Sequence, residues 1–220
     1  MKQPTLAAGD DHKFKIIWLN VVLVVYFHIA AVFGLFASKK PGTHLVEFFW
    51  VLFNVFGMTV CAHQLFSHRS FKVNKKLKTL LVFMHTTFAT FSIRDFVRYH
   101  RMHHLYLDTN ADPHNSKRGL FFTHFGWLLV EKHPQFYEFS DRINFSDIEA
   151  DKMLRLQHKY LLPLGLLAGF ALPIWASWYF FNESLITAWN YNCFRYLLVF
   201  HMVETTNSIA HNYGYRPFNK

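Results

Sequence analysis

Two cysteines cannot build a disulfide framework, and this chain has only Cys61 and Cys193, each in or beside an apolar run. It also lacks internal repeats, low-complexity linkers, paired-cysteine zinc motifs and any HExxH sequence. Acidic residues are scarce: 14 Asp and Glu stand against 23 Lys and Arg, for a formal net charge of +9. Such a balance raises the question of nucleic acid, but no basic, soluble recognition module is visible, so no nucleic-acid partner is expected. The excess charge suits a membrane surface instead. Apolar residues make up 52% of the chain and are gathered into blocks, which is how membrane-spanning segments read.

Residues 16–36 run IIWLNVVLVVYFHIAAVFGLF, with Asn20 and His28 as the only strongly polar interruptions. Residues 45–62 run LVEFFWVLFNVFGMTVCA, and two more blocks cover 161–181 and 189–206. Each is close to the ~20 residues that cross a hydrocarbon core of ~30 Å. The first is too long for the apolar part of a signal peptide and has no small-residue cleavage site after it. Pro163 and Pro173 are tolerable in a membrane helix whose neighbours satisfy the freed carbonyls. The fourth block is the least apolar, with Arg195, His201 and Glu204. Four membrane helices in two hairpins are expected, because the loops ASKKPGTH and NESLIT are too short to hold a domain. Residues 63–160 and both termini then share one side. Arg69, Lys72, Lys75, Lys76, Lys78, Lys152, Arg155 and Lys159 lie near the membrane ends of that segment, against Lys39 and Lys40 opposite. The positive-inside bias makes that side cytosolic. The expected fold is an all-α integral membrane protein, one domain over residues 1–220, with four transmembrane helices and a cytosolic helical cap over 63–160.

Nine of the fifteen histidines fall between His63 and His133, all of them in that cap. In HRMHH, His100, His103 and His104 stand at i, i+3 and i+4, one face of a helix. In HQLFSH, His63 and His68 are five apart, which a regular helix would point about 140° away from each other. They converge only if the helix ends or distorts between them. Asn207 and His211, four apart, end the fourth block. The topology thus brings His63, His68, His100, His103, His104 and His211 to one membrane face. A lone HxxxxH arises by chance, and interfacial histidines can simply bind water; the two motifs together on one face point to metal. His12, His28, His44, His85, His114, His124, His133, His158 and His201 are read as surface or supporting groups. A structural zinc is satisfied by four ligands, often including thiolate. Six imidazoles exceed that and suit two redox-active metals, iron above all. Beside a membrane, two irons would activate oxygen against an unactivated C–H bond of a lipid chain.

These residues also carry a resemblance. HQLFSHRSFK resembles the first histidine box of membrane fatty acyl-CoA desaturases of the stearoyl-CoA type. RYHRMHHLYLDTNADPHNSKRG resembles the second box and its following loop. FFTHFGWLLVEKHP and NSIAHNYGYRPF continue the match, which covers nearly the whole chain from the second helix onward. The resemblance implies an oxygen-dependent enzyme of the endoplasmic reticulum membrane that places a cis double bond in a long-chain acyl-CoA. It implies two iron ions held by His63, His68, His100, His103, His104 and His211, with Asn207 contacting a metal through water. It further implies a tunnel that bends the acyl chain past the metals, and electrons from cytochrome b5 and its NAD(P)H-dependent reductase. Arg98 and Lys132 match basic residues that hold coenzyme A. Glu47 and Val51, in the first half of the second helix, are candidates for limiting chain length; Val51 reads equally well as ordinary packing.

The departures are specific. Tyr99 and Phe96 stand where the family commonly has an acidic residue and Trp, Glu131 replaces a basic neighbour of Lys132, and Glu204 replaces Trp. Glu204 is read as a carboxylate facing the acyl tunnel or completing a metal shell, or else as a group in interfacial water. The family's third box, HNxHH, does not occur before Lys220, and HNYGYR is not that box. The sequence is therefore expected to be either a fragment or a natural truncation. Two competing functions remain: a noncatalytic desaturase-like membrane protein that binds lipid or associates with an intact desaturase, and a hydroxylase of the same histidine-box class.

Overall fold

A computed structural model describes residues 3–5, 12–37 and 39–213, so the last seven residues of the NSIAHNYGYRPFNK stretch lie outside the described residues. The described chain is helical, and its one extended pairing is an isolated antiparallel bridge between Ile16 and Val130. Three helices are long and apolar enough to cross a membrane: Trp18–Phe36, Pro41–Ser67 and Leu161–Phe181. They match the first three expected spans, and the second is longer than residues 45–62 at both ends. Pro41 sets its start, since a proline at the first helical position sacrifices an N–H that has no partner there anyway. The fourth expected span lies inside one continuous helix, Leu185–Asn212.

In chain order the α-helices are α1 (Trp18–Phe36), α2 (Pro41–Phe56), α3 (Lys75–Thr86), α4 (Ile93–Leu105), α5 (Leu120–His124) and α6 (Pro134–Ser140). There follow α7 (Ser146–Glu149), α8 (Lys152–Lys159), α9 (Leu161–Gly165), α10 (Leu172–Phe181) and α11 (Leu185–Asn212). Two π-helical stretches, Gly57–Ser67 and Leu166–Ala171, continue α2 and join α9 to α10. The chain gathers into two compact units. One holds residues 22–100 and 144–199; the other holds residues 1–21, 101–143 and 200–220.

In the first unit, Cys61 and Leu65 of the π stretch meet Leu81 and Val82 of α3, Ile93 and Val97 of α4, Ile148 of α7 and Leu154 of α8. Asn74 caps α3 by accepting the Leu77 N–H, and the Ser92 hydroxyl does the same for α4 at Asp95 N–H, so both helices start where side-chain oxygens satisfy orphan donors. Gly57 is required by close approach: a Cβ there would stand 2.4 Å from the His85 backbone nitrogen. The same unit contains a buried polar knot. Arg195 of α11 bonds Glu47 Oε2 at 3.2 Å, the Gly169 carbonyl at 2.7 Å, Asn192 Oδ1 at 2.6 Å and Asn54 Oδ1. It ties α2, the second π stretch and α11 together with no charge left unpaired.

In the second unit the N-terminal segment is laced to the stretch before α6. Ile17 N–H donates to the Leu129 carbonyl at 2.8 Å and Glu131 N–H to the Lys15 carbonyl at 2.9 Å. The loop after α4 is held by its own side chains: Asn115 Nδ2 donates to the Thr109 carbonyl at 2.6 Å, and Arg118 donates to Asn110 Oδ1 at 2.6 Å. Asp108 takes a left-handed conformation there, φ +59°, which Asp tolerates better than most residues.

Candidate metal centre

The five-residue spacing of His63 and His68 is resolved by the backbone. In a π-helix the N–H of one residue reaches the carbonyl five before it, and His68 N–H donates to the His63 carbonyl at 3.0 Å. Five residues therefore make about one wide turn, and the two imidazoles meet edge to face, ring centroids 4.5 Å apart, instead of pointing apart. On α4, Ile93 and Val97 are fully buried and His100 continues their stripe. His68 Nε2 lies 3.1 Å from His63 Nε2 and 2.9 Å from His100 Nε2. Nitrogens bound to one metal at ~2.0–2.1 Å stand roughly 3 Å apart, so this spacing fits a shared cation. His63 and His100 are half-buried and His68 is exposed, which leaves the group open on one side. Phe96 lies parallel to the His100 ring, with centroids 5.7 Å apart.

The second unit has its own group. His103 Nε2 stands 3.3 Å from His211 Nε2. On the far edge of the ring, His103 Nδ1 lies 3.0 Å from both oxygens of Asp112. His114 stacks obliquely on His103, centroids 4.2 Å apart, and its own edge meets Trp127. His104 is exposed beside His103, ring centroids 5.6 Å apart. The structure thus brings His63, His68 and His100 together in one unit, and His103 and His211 in the other.

The remaining expected site residues are placed as follows. Asn207 Nδ2 donates to Glu204 Oε2 at 3.0 Å, and Trp127 Nε1 donates to the same oxygen at 3.2 Å. Glu204 is buried, so these bonds offset its desolvation. Lys132 donates to the Trp127 carbonyl at 2.6 Å and its ammonium sits 4.3 Å from the Trp127 ring centroid. Burial pushes the Lys132 amine down to about 7, against the pull of the Glu204 carboxylate. Arg98 lies over the Phe145 ring at 5.4 Å. Val51 is half-buried on α2, while Glu47 is buried and bonded to Arg195.

Asp112 and the pairing of His124 with His201 are not evident from sequence. His124 Nε2 lies 2.9 Å from His201 Nδ1, and its Nδ1 lies 2.7 Å from the Ser208 hydroxyl. Burial lowers the His124 pKa. The spacing of His201 and Ser208 on one helix could have signalled the pair, but nothing local announces His124 as their partner.

Three helices apolar enough to cross a membrane, with the groups His63, His68, His100 and His103, Asp112, His114 close enough to hold a cation, mark a helical protein with candidate membrane spans and metal sites. No family model matches the chain. Among curated proteins it is 38% identical over 215 residues to stearoyl-CoA desaturase 2 of Rattus norvegicus, covering 96% of this chain and 60% of that protein. It is 39% identical over 211 residues to the acyl-CoA Delta(11) desaturase of Choristoneura rosaceana, covering 94% and 63%. It is 40% identical over 211 residues to the (11Z)-hexadec-11-enoyl-CoA conjugase of Bombyx mori, covering 94% and 64%. Along almost its whole length the chain is thus similar to acyl-CoA desaturases. It spans about three fifths of the length of these relatives.

Proposed function

We propose that this chain carries the histidine-rich core of an oxygen-dependent acyl-CoA desaturase. The observation that carries the reading is the convergence of Nε2 atoms, within 3.1 Å of His68 in one group and at 3.3 Å between His103 and His211 in the other. Such donor sets fit iron, which imidazole binds well. His63, His68 and His100 would hold one ion; His103 and His211 would contribute to a second, with His104 and, through water, Asn207. Bound iron supplies oxygen activation. The chain's own residues orient and exclude: the core around Cys61 and Val97 fixes the imidazole-bearing helices, and the apolar spans keep water from an acyl chain.

The relatives' names support an acyl-CoA substrate, with Arg98 and Lys132 as cationic contacts for its phosphates. At neutral pH Lys132 is poised between charge states, so an anionic substrate would draw it to the charged form. Glu47 and Val51 would bound the acyl chain, Glu47 through its bond to Arg195. Glu204, with Trp127 and Asn207, would shape the path between substrate and metal. The reading extends to a fourth span within α11, a cytosolic cap, residence in the endoplasmic reticulum, and electrons from cytochrome b5 and its NAD(P)H-dependent reductase.

The test is expression in a desaturase-deficient cell with an intact cytochrome b5 system, read by gas chromatography of the lipids. In the second unit His103 and His211 bring their Nε2 atoms to 3.3 Å, where the first unit gathers three such atoms around His68. Residues 1–220 alone should yield no unsaturated product. Extension by a relative's C-terminal segment carrying HNxHH should restore it, and His68→Ala should abolish it again. An extended chain that binds iron but leaves the lipids unchanged would count against desaturation. The cytosolic cap has a separate test. Cys61 and Cys193 are buried, so a cysteine introduced at Lys76 is the reactive thiol to follow. It should label from the cytosolic side; labelling from the lumen alone would reverse the topology.

A further inference from the structure

Asp112 lies on the loop after α4, its side chain fully buried, with both oxygens 3.0 Å from His103 Nδ1. Oδ2 also accepts the Asp108 N–H at 3.1 Å, and Oδ1 accepts the His114 N–H at 3.2 Å. Four backbone and ring contacts converge on a carboxylate, and an ionised carboxylate can only accept. The donor in the contact with His103 must therefore be the ring, as Nδ1–H. A neutral imidazole with its proton on Nδ1 carries its lone pair on Nε2, the atom that faces His211 Nε2 at 3.3 Å.

His103, Asp112 and His114 are close enough to be considered together as cation ligands. The geometry argues otherwise for Asp112. Nδ1 sits symmetrically between its two oxygens, as in a forked hydrogen bond, and each oxygen already holds a backbone amide. His63, His68, His100 and His211 all converge through Nε2, and His103 does the same only if Asp112 occupies its other nitrogen.

We propose that Asp112 is a positioning residue that locks His103 in the Nδ1–H tautomer and turns Nε2 toward His211 as a metal-ligating nitrogen. This inference rests on the metal-centre reading above. A carboxylate behind a ligating imidazole fixes its orientation and raises its basicity. Asp112→Asn keeps the shape but can offer an amide N–H to Nδ1, which favours the tautomer whose Nε2 carries a proton and cannot ligate.

The test uses the 220-residue chain in detergent with Co(II) alone as the probe. The second equivalent of Co(II), taken up after the His63, His68 and His100 group is filled, should bind about 10–100-fold more weakly to Asp112→Asn than to the wild type, with an altered visible absorption spectrum. Asn115→Ala loosens the same loop at Thr109 and should leave affinity and spectrum unchanged. In the metal-free wild type, 15N spectra of the imidazoles should show His103 protonated at Nδ1. If Asp112→Asn does not fold, this wild-type measurement decides the matter by itself. Co(II) binding by Asp112→Asn equal to the wild type overturns the proposal. So does an equal loss in Asn115→Ala, or a His103 protonated at Nε2. A wild type that takes up no Co(II) removes the metal-centre reading and this proposal with it, whereas uptake with an indifferent Asp112→Asn removes only the latter.

Discussion

His68 donates its backbone N–H to the carbonyl of His63, and that one wide-turn bond sets two imidazoles side by side that a regular helix would hold on different faces. The π stretch begins at Gly57, which lies against the backbone of His85. Gly57→Ala forces a methyl group into that contact. Overpacking of this kind costs about 1–3 kcal/mol. A lowered thermal unfolding midpoint in detergent is expected, together with weaker Co(II) binding; an unchanged midpoint would mean the two segments separate freely.

His100 has its Nε2 2.9 Å from that of His68, whereas His44 bonds the Tyr191 hydroxyl at 2.7 Å and belongs to neither imidazole group. Metal per protein, measured by mass spectrometry after reconstitution, should fall in His100→Ala by one ion. It should hold in His44→Ala. Equal losses in both would make the uptake nonspecific.

Arg195 and Glu47 are a charge pair 1% and 3% exposed. Removing one partner leaves the other buried and unpaired, at a cost of about 3–5 kcal/mol. Arg195→Met should therefore yield little folded protein by size-exclusion chromatography. Glu47→Leu combined with Arg195→Met should recover part of the loss, because the pair's joint desolvation cost is removed as well. A double variant worse than either single one would contradict this account.

The Lys132 amine has a folded-state pKa near 7, below the ordinary lysine value of 10.5, because burial disfavours its charge. Between those values the unfolded chain binds more protons than the folded one, so this residue makes stability rise with pH across that window. Below about 7 both states are charged and the penalty is constant. Wild-type stability should gain more between pH 7 and 10 than that of Lys132→Met, measured as unfolding midpoints in the same detergent. Parallel curves would show that Lys132 keeps its ordinary pKa.

Much of this protein is legible along the chain because its signals are local. Length and hydropathy mark the spans at 16–36 and 161–181 without any knowledge of neighbours, since each must satisfy its own backbone in an apolar medium. The HRMHH spacing puts His100, His103 and His104 on one helix by geometry alone. The spacing of HQLFSH is ambiguous, because whether a helix widens depends on what presses against it: here Gly57 admits the His85 backbone. Glu47 and Arg195 lie 148 residues apart, and only their burial together reveals a bonded pair where the sequence shows two isolated charges. Asp112 is the same case on a shorter scale. Nothing in ADPHN states that its carboxylate faces His103; the backbone N–H groups of Asp108 and His114, which hold its two oxygens, decide that. Sequence by itself determined which segments are apolar and which residues can bind metal. Tertiary structure decided which nitrogen of each ring faces inward, because that depends on hydrogen-bond partners brought from elsewhere in the chain.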